Sequence, residues 1–249
     1  MDFRDIIKMD IKKDEVVLGH KNGELFKINI TESPSLIITG ETGSGKSILL
    51  DQVLLQLISK YTSLELGIMA IDTSGVELNY YKDTEYSLFS AINDEEKSIV
   101  ALSRVLKEIE RRKALLASYN VMTVEEHNKV AYTKLPIIVV AVDDDKFLLR
   151  NQDMEKMLLG IISQLQGMGI FFVLATSDVH NKFFETDKNL FASTRLTFDY
   201  TNPSESKKAN IEGSDGLAIG EFKVQYKDKE EIYNNFEFDD SIIEEIVNR

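Results

Sequence analysis

The stretch IITGETGSGKS, residues 37–47, decides the fold of this chain. It begins in a short apolar segment, Ser35 to Thr39, which predicts a buried strand. It continues into KSILLDQVLLQLISKY, residues 46–61, which predicts a helix. Three glycines stand between the two elements. Glycines let the backbone N–H groups of a loop turn inward around an anion, and the following helix adds the positive end of its dipole.

The spacing of this loop matches the phosphate-binding P-loop at every fixed position, with Gly40, four residues, and then Gly45, Lys46 and Ser47. Lys46 is expected to reach the β- and γ-phosphates, and the Ser47 hydroxyl to coordinate Mg²⁺. The alternative is an ordinary glycine-rich turn before a helix, but the order strand, loop, helix favours the P-loop. The predicted nucleotide-binding residues are Gly40, Glu41, Thr42, Gly43, Ser44, Gly45, Lys46, Ser47 and Ile48.

A P-loop also needs an acid at the end of a neighbouring strand to help hold the magnesium ion. Asp143 closes the apolar run IIVVAV, residues 137–142, which predicts a strand covered on both faces. Such a strand would deliver the carboxylate to the edge of the sheet where the P-loop lies. We therefore expect ATP and Mg²⁺ as cofactors, with Ser47 and Asp143 as the metal ligands.

Predicted strands and helices alternate along the chain, which indicates an α/β fold with a mostly parallel central sheet and helices on both faces. We expect one domain over residues 1–249, with a β-hairpin region at 1–33, a nucleotide-binding core at 34–200, and C-terminal strands and a helix at 201–249. Further predicted elements are a hairpin at 14–30 turning at Asn22-Gly23, a strand ending at Asp72, helices within 94–118 and near 153–167, strands at 169–176, 194–200 and 222–228, and a helix from about Asp239.

Charge and composition restrict the partners. The formal net charge of −13 disfavours sequence-independent binding to DNA, because the chain as a whole repels a phosphodiester backbone. The densest basic run, ERRK at 110–113, falls on a predicted helix, where such runs usually form a solvated face. The chain has no cysteine, which suits a reducing compartment, and its longest apolar run is too short to span a membrane.

Four blocks along the chain, followed by TRLTFDY at 194–200, form a recognisable series. The blocks are SLIITGETGSGKS at 35–47, IDTSGVELNYY at 71–81, LPIIVVAVDDDKFLL at 135–149 and GIFFVLATSD at 169–178. In this order they resemble the FtsK/SpoIIIE family of RecA-like motor ATPases. Within that family the chain is most similar to the tandem ATPase domains of the type VII secretion coupling proteins EssC and EccC, in particular a C-terminal one.

This resemblance implies a RecA-like P-loop NTPase fold and a cytoplasmic domain of a membrane-anchored bacterial secretion motor. The membrane is then reached only through the parent protein. The implied partners are sibling ATPase domains of the same parent chain, arranged in a ring oligomer, and small helical secreted proteins.

Departures from the family pattern bear on hydrolysis. Asp144 stands where the family has its activating glutamate, and the shorter side chain withdraws the carboxylate by ~1.5 Å, while a misplacement of about 1 Å can cost on the order of a hundredfold in rate. Ser177 replaces a glutamine that senses the γ-phosphate, Asp178 replaces an arginine, and Ser74 replaces a lysine. We expect nucleotide binding to be kept and hydrolysis to be weak or absent.

Three functions stay open on this basis: an ATP-binding secretion-motor domain with weak turnover, a hydrolysis-competent DNA-translocating motor, and an interaction module whose nucleotide site is vestigial. Arg195 matches a family arginine that could act in a neighbouring subunit, and a surface salt bridge is the alternative.

Overall fold

The computed structural model describes residues 1–144, 148–180, 182–185, 193–209, 211, 213–226 and 229–247. Its strands are β1 (Glu15–Lys21), β2 (Glu24–Asn29), β3 (Ser35–Thr39), β4 (Leu66–Asp72), β5 (Ser87–Ile92), β6 (Ile137–Asp144), β7 (Ile170–Thr176), β8 (Ser193–Thr197), β9 (Glu221–Tyr226) and β10 (Lys229–Asn234). Its helices are α1 (Phe3–Lys8), α2 (Lys46–Lys60), α3 (Glu95–Ser118), α4 (Val124–Val130), α5 (Gln152–Ile162), α6 (Lys182–Glu185), α7 (Pro203–Lys208) and α8 (Ser241–Val247), and a 3₁₀ helix covers Glu77–Tyr81.

All ten strands form one sheet in the order β2-β1-β10-β9-β8-β3-β7-β6-β4-β5. The six strands from β8 to β5 run parallel, and the four on the other side pair antiparallel. The predicted mostly parallel sheet is therefore confirmed. Because parallel strands end at a common edge, the last residues of β3, β4, β6 and β7 lie side by side, with Asp72 opposite Asp143 and Asp144 opposite Thr176.

Helices cover both faces of this sheet, as predicted. Side chains of β3 alternate between the two faces, so that Leu36 and Ile38 join the core formed with α1, α2 and α8, while Ile37 joins the core formed with α3 and α5. Burial on both faces accounts for the nearly continuous apolar sequence of the central strands.

The predicted hairpin forms with β1 and β2 as its strands. Its turn needs two residues at positive φ, which Asn22 (51°) and Gly23 (86°) provide. The hairpin packs on α2. The Gln56 side-chain oxygen accepts a hydrogen bond from the Val17 N–H, and the Gln56 side-chain nitrogen donates one to the Val17 carbonyl, both at 2.8 Å. Helix α2 is thus buried on nearly all sides.

Two predicted boundaries were wrong. Helix α5 ends at Ile162 and not near 167; Gly167 and Gly169, both at positive φ, lie in the turn that leads into β7. Strand β8 ends at Thr197 and not at 200, because the chain leaves the sheet to contact the P-loop. The patterns also gave no prediction for α1, α4, β5, β10 and α7.

The basic run in α3 forms the predicted solvated face at Glu110, Arg111 and Lys113, but not at Arg112. Arg112 is fully buried, and it donates hydrogen bonds to the carbonyls of Met168, Gly169 and Pro136 and to the Glu108 carboxylate, at 2.7–3.1 Å. It fixes the long helix to the sheet. The neighbouring Arg111 and Lys113 form ion pairs with glutamates of the same helix.

Candidate functional site: the phosphate-binding loop

The glycines of the loop adopt conformations that other residues rarely reach. Gly40, Gly43 and Gly45 have φ values of 148°, 82° and 113°. A Cβ atom at Gly40 would lie 2.6 Å from the Ser44 hydroxyl and 2.8 Å from the Phe198 Cβ. This position therefore needs glycine for both conformation and space.

The segment after β8 holds the loop in place. The Tyr200 hydroxyl accepts a hydrogen bond from the Gly40 N–H at 3.0 Å, and the Asp199 carbonyl accepts one from the Glu41 N–H at 3.1 Å. The Glu41 carboxylate in turn accepts from the Thr201 N–H and hydroxyl at 2.7 and 2.8 Å. Sequence patterns gave no indication of this anchor, because its partners lie about 160 residues apart.

The predicted lysine, serine and aspartate come together at the edge of the sheet. The Lys46 ammonium is almost fully buried and donates to the Glu41 carbonyl at 2.9 Å. The Ser47 hydroxyl donates to Asp143 Oδ2 at 3.1 Å. A hydroxyl and a carboxylate at this separation are an oxygen pair of the kind that Mg²⁺ prefers.

The remaining predicted loop residues differ in exposure. Thr42 and Gly43 face solvent, and Ile48 is 39% exposed. The Ser44 hydroxyl is buried and has no hydrogen-bond partner among the residues that the structure describes. A buried polar atom without a partner is costly, so this hydroxyl suits the oxygen of a bound anion. Together with the glycine loop and Lys46, it fits a magnesium-bound polyphosphate.

Asp144, the predicted base position, is 2% exposed. Its two carboxylate oxygens accept hydrogen bonds from the N–H groups of Leu148 and Leu149, at 3.0 and 2.8 Å, and its carbonyl accepts one from the Thr176 hydroxyl at 2.7 Å. The carboxylate thus binds the backbone that follows its own strand.

The other positions that depart from the family pattern are also engaged locally. Ser74 donates through its N–H and hydroxyl to the Asp72 carboxylate, at 2.9 and 2.8 Å. The carbonyl of Ser177 lies 3.4 Å from the Tyr200 hydroxyl. Asp178 forms an ion pair with Arg150 at 3.0 Å.

Arg150 reduces the effect of Asp178 on the charge of the site. Burial opposes ionisation of this carboxyl, but the His180 N–H and the Arg150 guanidinium outweigh that effect and lower the pKa of Asp178. The negative charge of Asp178 is therefore paired with the positive charge of Arg150.

Arg195 is only 4% exposed, so the alternative of a surface salt bridge is wrong. It lies on β8, and none of its three guanidinium nitrogens has a hydrogen-bond partner among the described residues. Burial lowers its pKa.

Sequence reasoning missed one polar pair beside the site. Tyr81 is fully buried, and its hydroxyl donates to Asp51 Oδ1 at 2.7 Å. Burial, helped by the carboxylates of Glu77, Asp143 and Asp240 and opposed by the Tyr81 hydrogen bond, raises the pKa of Asp51 to about 8. The available signal was an acidic residue in the middle of a mostly apolar helix, α2.

A cavity of about 500 Å³ lies at the opposite edge of the sheet, where β6 and β7 begin. Ile137, Ile170, Pro34, Tyr61 and Leu165 contribute to its walls. None of the predicted nucleotide-binding residues lines it.

Comparison with known proteins agrees with this geometry. The model of the FtsK/SpoIIIE family matches residues 8–178. The chain belongs to the FtsK/SpoIIIE family. Among curated FtsK/SpoIIIE relatives, the DNA translocase FtsK of Campylobacter jejuni is 32% identical over 186 residues, which cover 70% of this chain and 20% of that protein. FtsK of Clostridium tetani is 30% identical over 161 residues, covering 62% of this chain and 22% of that protein. The chain thus spans about a fifth of the length of these two relatives.

Solved structures of similar fold include ATPase domains and a conjugation coupling protein. The cytoplasmic domain of the type VII secretion ATPase EccC from Thermomonospora curvata aligns with a TM-score of 0.83 at 16% identity, covering all of this chain and 34% of that one. EssC (ATPases 2 and 3) from Geobacillus thermodenitrificans aligns with a TM-score of 0.78 at 21% identity, covering 94% and 47%. The pCW3 conjugation coupling protein TcpA, in a monomer form with ATPγS, also has a TM-score of 0.78 at 21% identity, covering 96% and 71%.

These matches confirm the predicted family and the RecA-like P-loop fold class. Within the described residues, no helix combines the length and the apolar character that crossing a membrane requires.

Proposed function

We propose that this FtsK/SpoIIIE domain binds ATP with Mg²⁺ as a motor-type domain of a type VII protein secretion apparatus, with weak or absent hydrolysis of its own and a regulatory or substrate-docking role. One observation carries the proposal. The Ser47 hydroxyl and the Asp143 carboxylate adjoin a glycine loop, while both oxygens of the neighbouring Asp144 are bound to backbone N–H groups.

Residues 40–48 would hold the phosphates, and Ser47 with Asp143 would hold Mg²⁺. The buried ammonium of Lys46 and the unsatisfied hydroxyl of Ser44 support this assignment, because both suit phosphate oxygens. The similarity to TcpA, whose structure was solved with ATPγS, gives further support.

Slow hydrolysis follows from the state of Asp144. Bound ATP would supply a γ-phosphoryl group whose transfer needs a water held by a nearby base. A carboxylate that already accepts two backbone hydrogen bonds is a weaker base, and the side chain is one methylene shorter than the glutamate of the family. Ser177 is likewise too short to replace a glutamine. Lys46 and Asp144 thus remain the catalytic positions of the proposal, with Asp144 impaired.

The secretion setting rests on the fold and on the relatives. EssC and EccC carry several ATPase domains in one chain, and one EccC structure contains a signal sequence peptide. By analogy, the partners of this domain are sibling ATPase domains of its parent chain, in a ring, and small helical secreted proteins. It is then a cytoplasmic domain of a membrane-anchored bacterial protein.

The test combines calorimetry with an ATPase assay. The wild-type chain is expected to bind ATP with Mg²⁺ and to turn it over slowly. Asp144→Glu should raise turnover, since it restores the missing methylene, whereas Asp144→Asn should keep the binding affinity. Rapid wild-type turnover that Asp144→Ala abolishes would overturn the hydrolysis part. No detectable heat with ATP and Mg²⁺ would instead indicate a vestigial site.

A hydrolysis-competent DNA-translocating motor is the second candidate, favoured by the FtsK relatives at 30–32% identity. The net charge of −13 and the internally paired basic run of α3 count against DNA as a partner. Binding to duplex DNA should be measured at about 50 and 200 mM salt. Tight binding that falls steeply between these concentrations would support translocation.

A further inference from the structure

The start of helix α2 carries Ser47 but has no side-chain cap. Its N-cap residue is Gly45, in the left-handed region, which has no side chain to accept a hydrogen bond from the first-turn N–H groups. Such a helix start is weakly held unless tertiary contacts fix it. Asp51 lies one turn beyond Ser47, and its carboxylate is buried against the Tyr81 hydroxyl at 2.7 Å.

Tyr81 belongs to a segment that is hydrogen-bonded to Asp143, the other predicted metal ligand. The loop after β4 leads to Tyr81, and the Asp72 carboxylate fixes it by accepting the N–H groups of Gly75 and Leu78, at 2.8 and 3.0 Å. Within this loop, the Thr73 N–H donates to the Asp143 carbonyl at 3.0 Å. Asp143 and Tyr81 therefore lie at two ends of one hydrogen-bonded segment.

These contacts close a ring. Ser47 of α2 is hydrogen-bonded to Asp143, and the Asp143 carbonyl is hydrogen-bonded to the loop after β4. That loop leads to Tyr81, whose hydroxyl is hydrogen-bonded to Asp51, again on α2. We propose that Asp51 and Tyr81 are positioning residues, whose hydrogen bond fixes the first turn of α2 so that the Ser47 hydroxyl stays against the Asp143 carboxylate and the two can hold Mg²⁺. The inference rests on the proposed function and adds to it two residues outside the predicted phosphate-binding and metal-binding set.

A similar bond at the far end of α2 provides a matched control. The Tyr86 hydroxyl donates to the Tyr61 carbonyl at 3.1 Å, at the C-cap of the helix, and Tyr86 is also buried. Tyr81→Phe and Tyr86→Phe each remove one buried hydroxyl that anchors α2. Tyr81→Phe removes a contact near the start of α2, whereas Tyr86→Phe removes one at its C-terminal end.

The experiment measures the affinity of the full chain for ATP with Mg²⁺ and with EDTA. Tyr81→Phe is expected to reduce the Mg²⁺-dependent gain in affinity about 3- to 10-fold, the range of one net hydrogen bond, while the affinity in EDTA stays within twofold. Asp51→Asn keeps an oxygen that can accept from Tyr81 and should retain the gain. Tyr86→Phe should retain it as well.

Hydrogen exchange of the nucleotide-free protein gives a second readout. Tyr81→Phe should speed exchange at the start of α2, and Tyr86→Phe at its end. If Tyr81→Phe keeps the full Mg²⁺-dependent gain, or lowers both affinities equally, the bond has only a structural role and the inference fails alone. If the wild-type chain binds no nucleotide in either condition, the proposed function fails and the inference fails with it.

Discussion

Replacing Asp51 by asparagine should change how the stability of the protein depends on pH. Burial raises the folded-state pKa of Asp51 to about 8, whereas an aspartate in an unfolded chain has a pKa of about 3.9. Between these values the folded protein keeps a proton that the unfolded chain releases. The stabilisation is complete below about pH 4 and is lost as the pH rises through about 8.

The size of the effect follows from this shift. Each pH unit in the window should lower the free energy of unfolding by about 1.4 kcal/mol, or ~2.7 kcal/mol between pH 5 and pH 7. That is a large part of the 5–15 kcal/mol typical of a folded domain. Asparagine cannot titrate but retains an oxygen that can accept from the Tyr81 hydroxyl. Asp51→Asn should therefore remove this pH dependence of the free energy of unfolding and keep the hydrogen bond to Tyr81.

The assay is urea unfolding of wild type and Asp51→Asn at pH 5, 6, 7 and 8. The wild-type free energy of unfolding should fall relative to that of the variant by about 1.4 kcal/mol per unit. Asp94→Asn is the control, because the pKa of Asp94 is lowered by N–H groups at the start of α3 and its contribution is lost only below the window. Parallel curves for wild type and Asp51→Asn would refute the reasoning.

The two buried arginines should respond in opposite ways to methionine. Arg112→Met is expected to cost about 3–5 kcal/mol in urea unfolding, because it removes the hydrogen bonds to three carbonyls and to Glu108. Arg195→Met should leave stability unchanged or raise it, since that cation has no partner among the described residues; a loss of several kcal/mol would contradict this. Gly40→Ala should weaken ATP binding about tenfold in calorimetry, because its Cβ would clash with Phe198 and Ser44, whereas Gly43→Ala meets no atom within 4 Å and should cost less.

Local patterns predicted the elements whose sequence alone fixes their structure. Asn22-Gly23 predicted a turn that needs two positive φ values, and the apolar run 137–142 predicted a strand buried on both faces. The boundary error at β8 arose because tertiary contacts of residues 199–201 with the P-loop end the strand before its pattern does. Arg112 was misjudged for the same reason, because its carbonyl partners lie 24–57 residues away in the chain.

The sequence by itself predicted the glycine-rich loop between β3 and α2, the alternation of the central strands and helices, and the meeting of Ser47 with Asp143. Each depends on short-range spacing, or on the rule that parallel strands end at one edge of a sheet. The tertiary structure alone decided that residues 199–201 hold the loop, that Asp144 binds its own following backbone, and that Asp51 faces Tyr81. Such contacts depend on which groups meet after folding, and for Asp51 the burial that results raises the pKa of a side chain whose residue type predicts an ordinary acid.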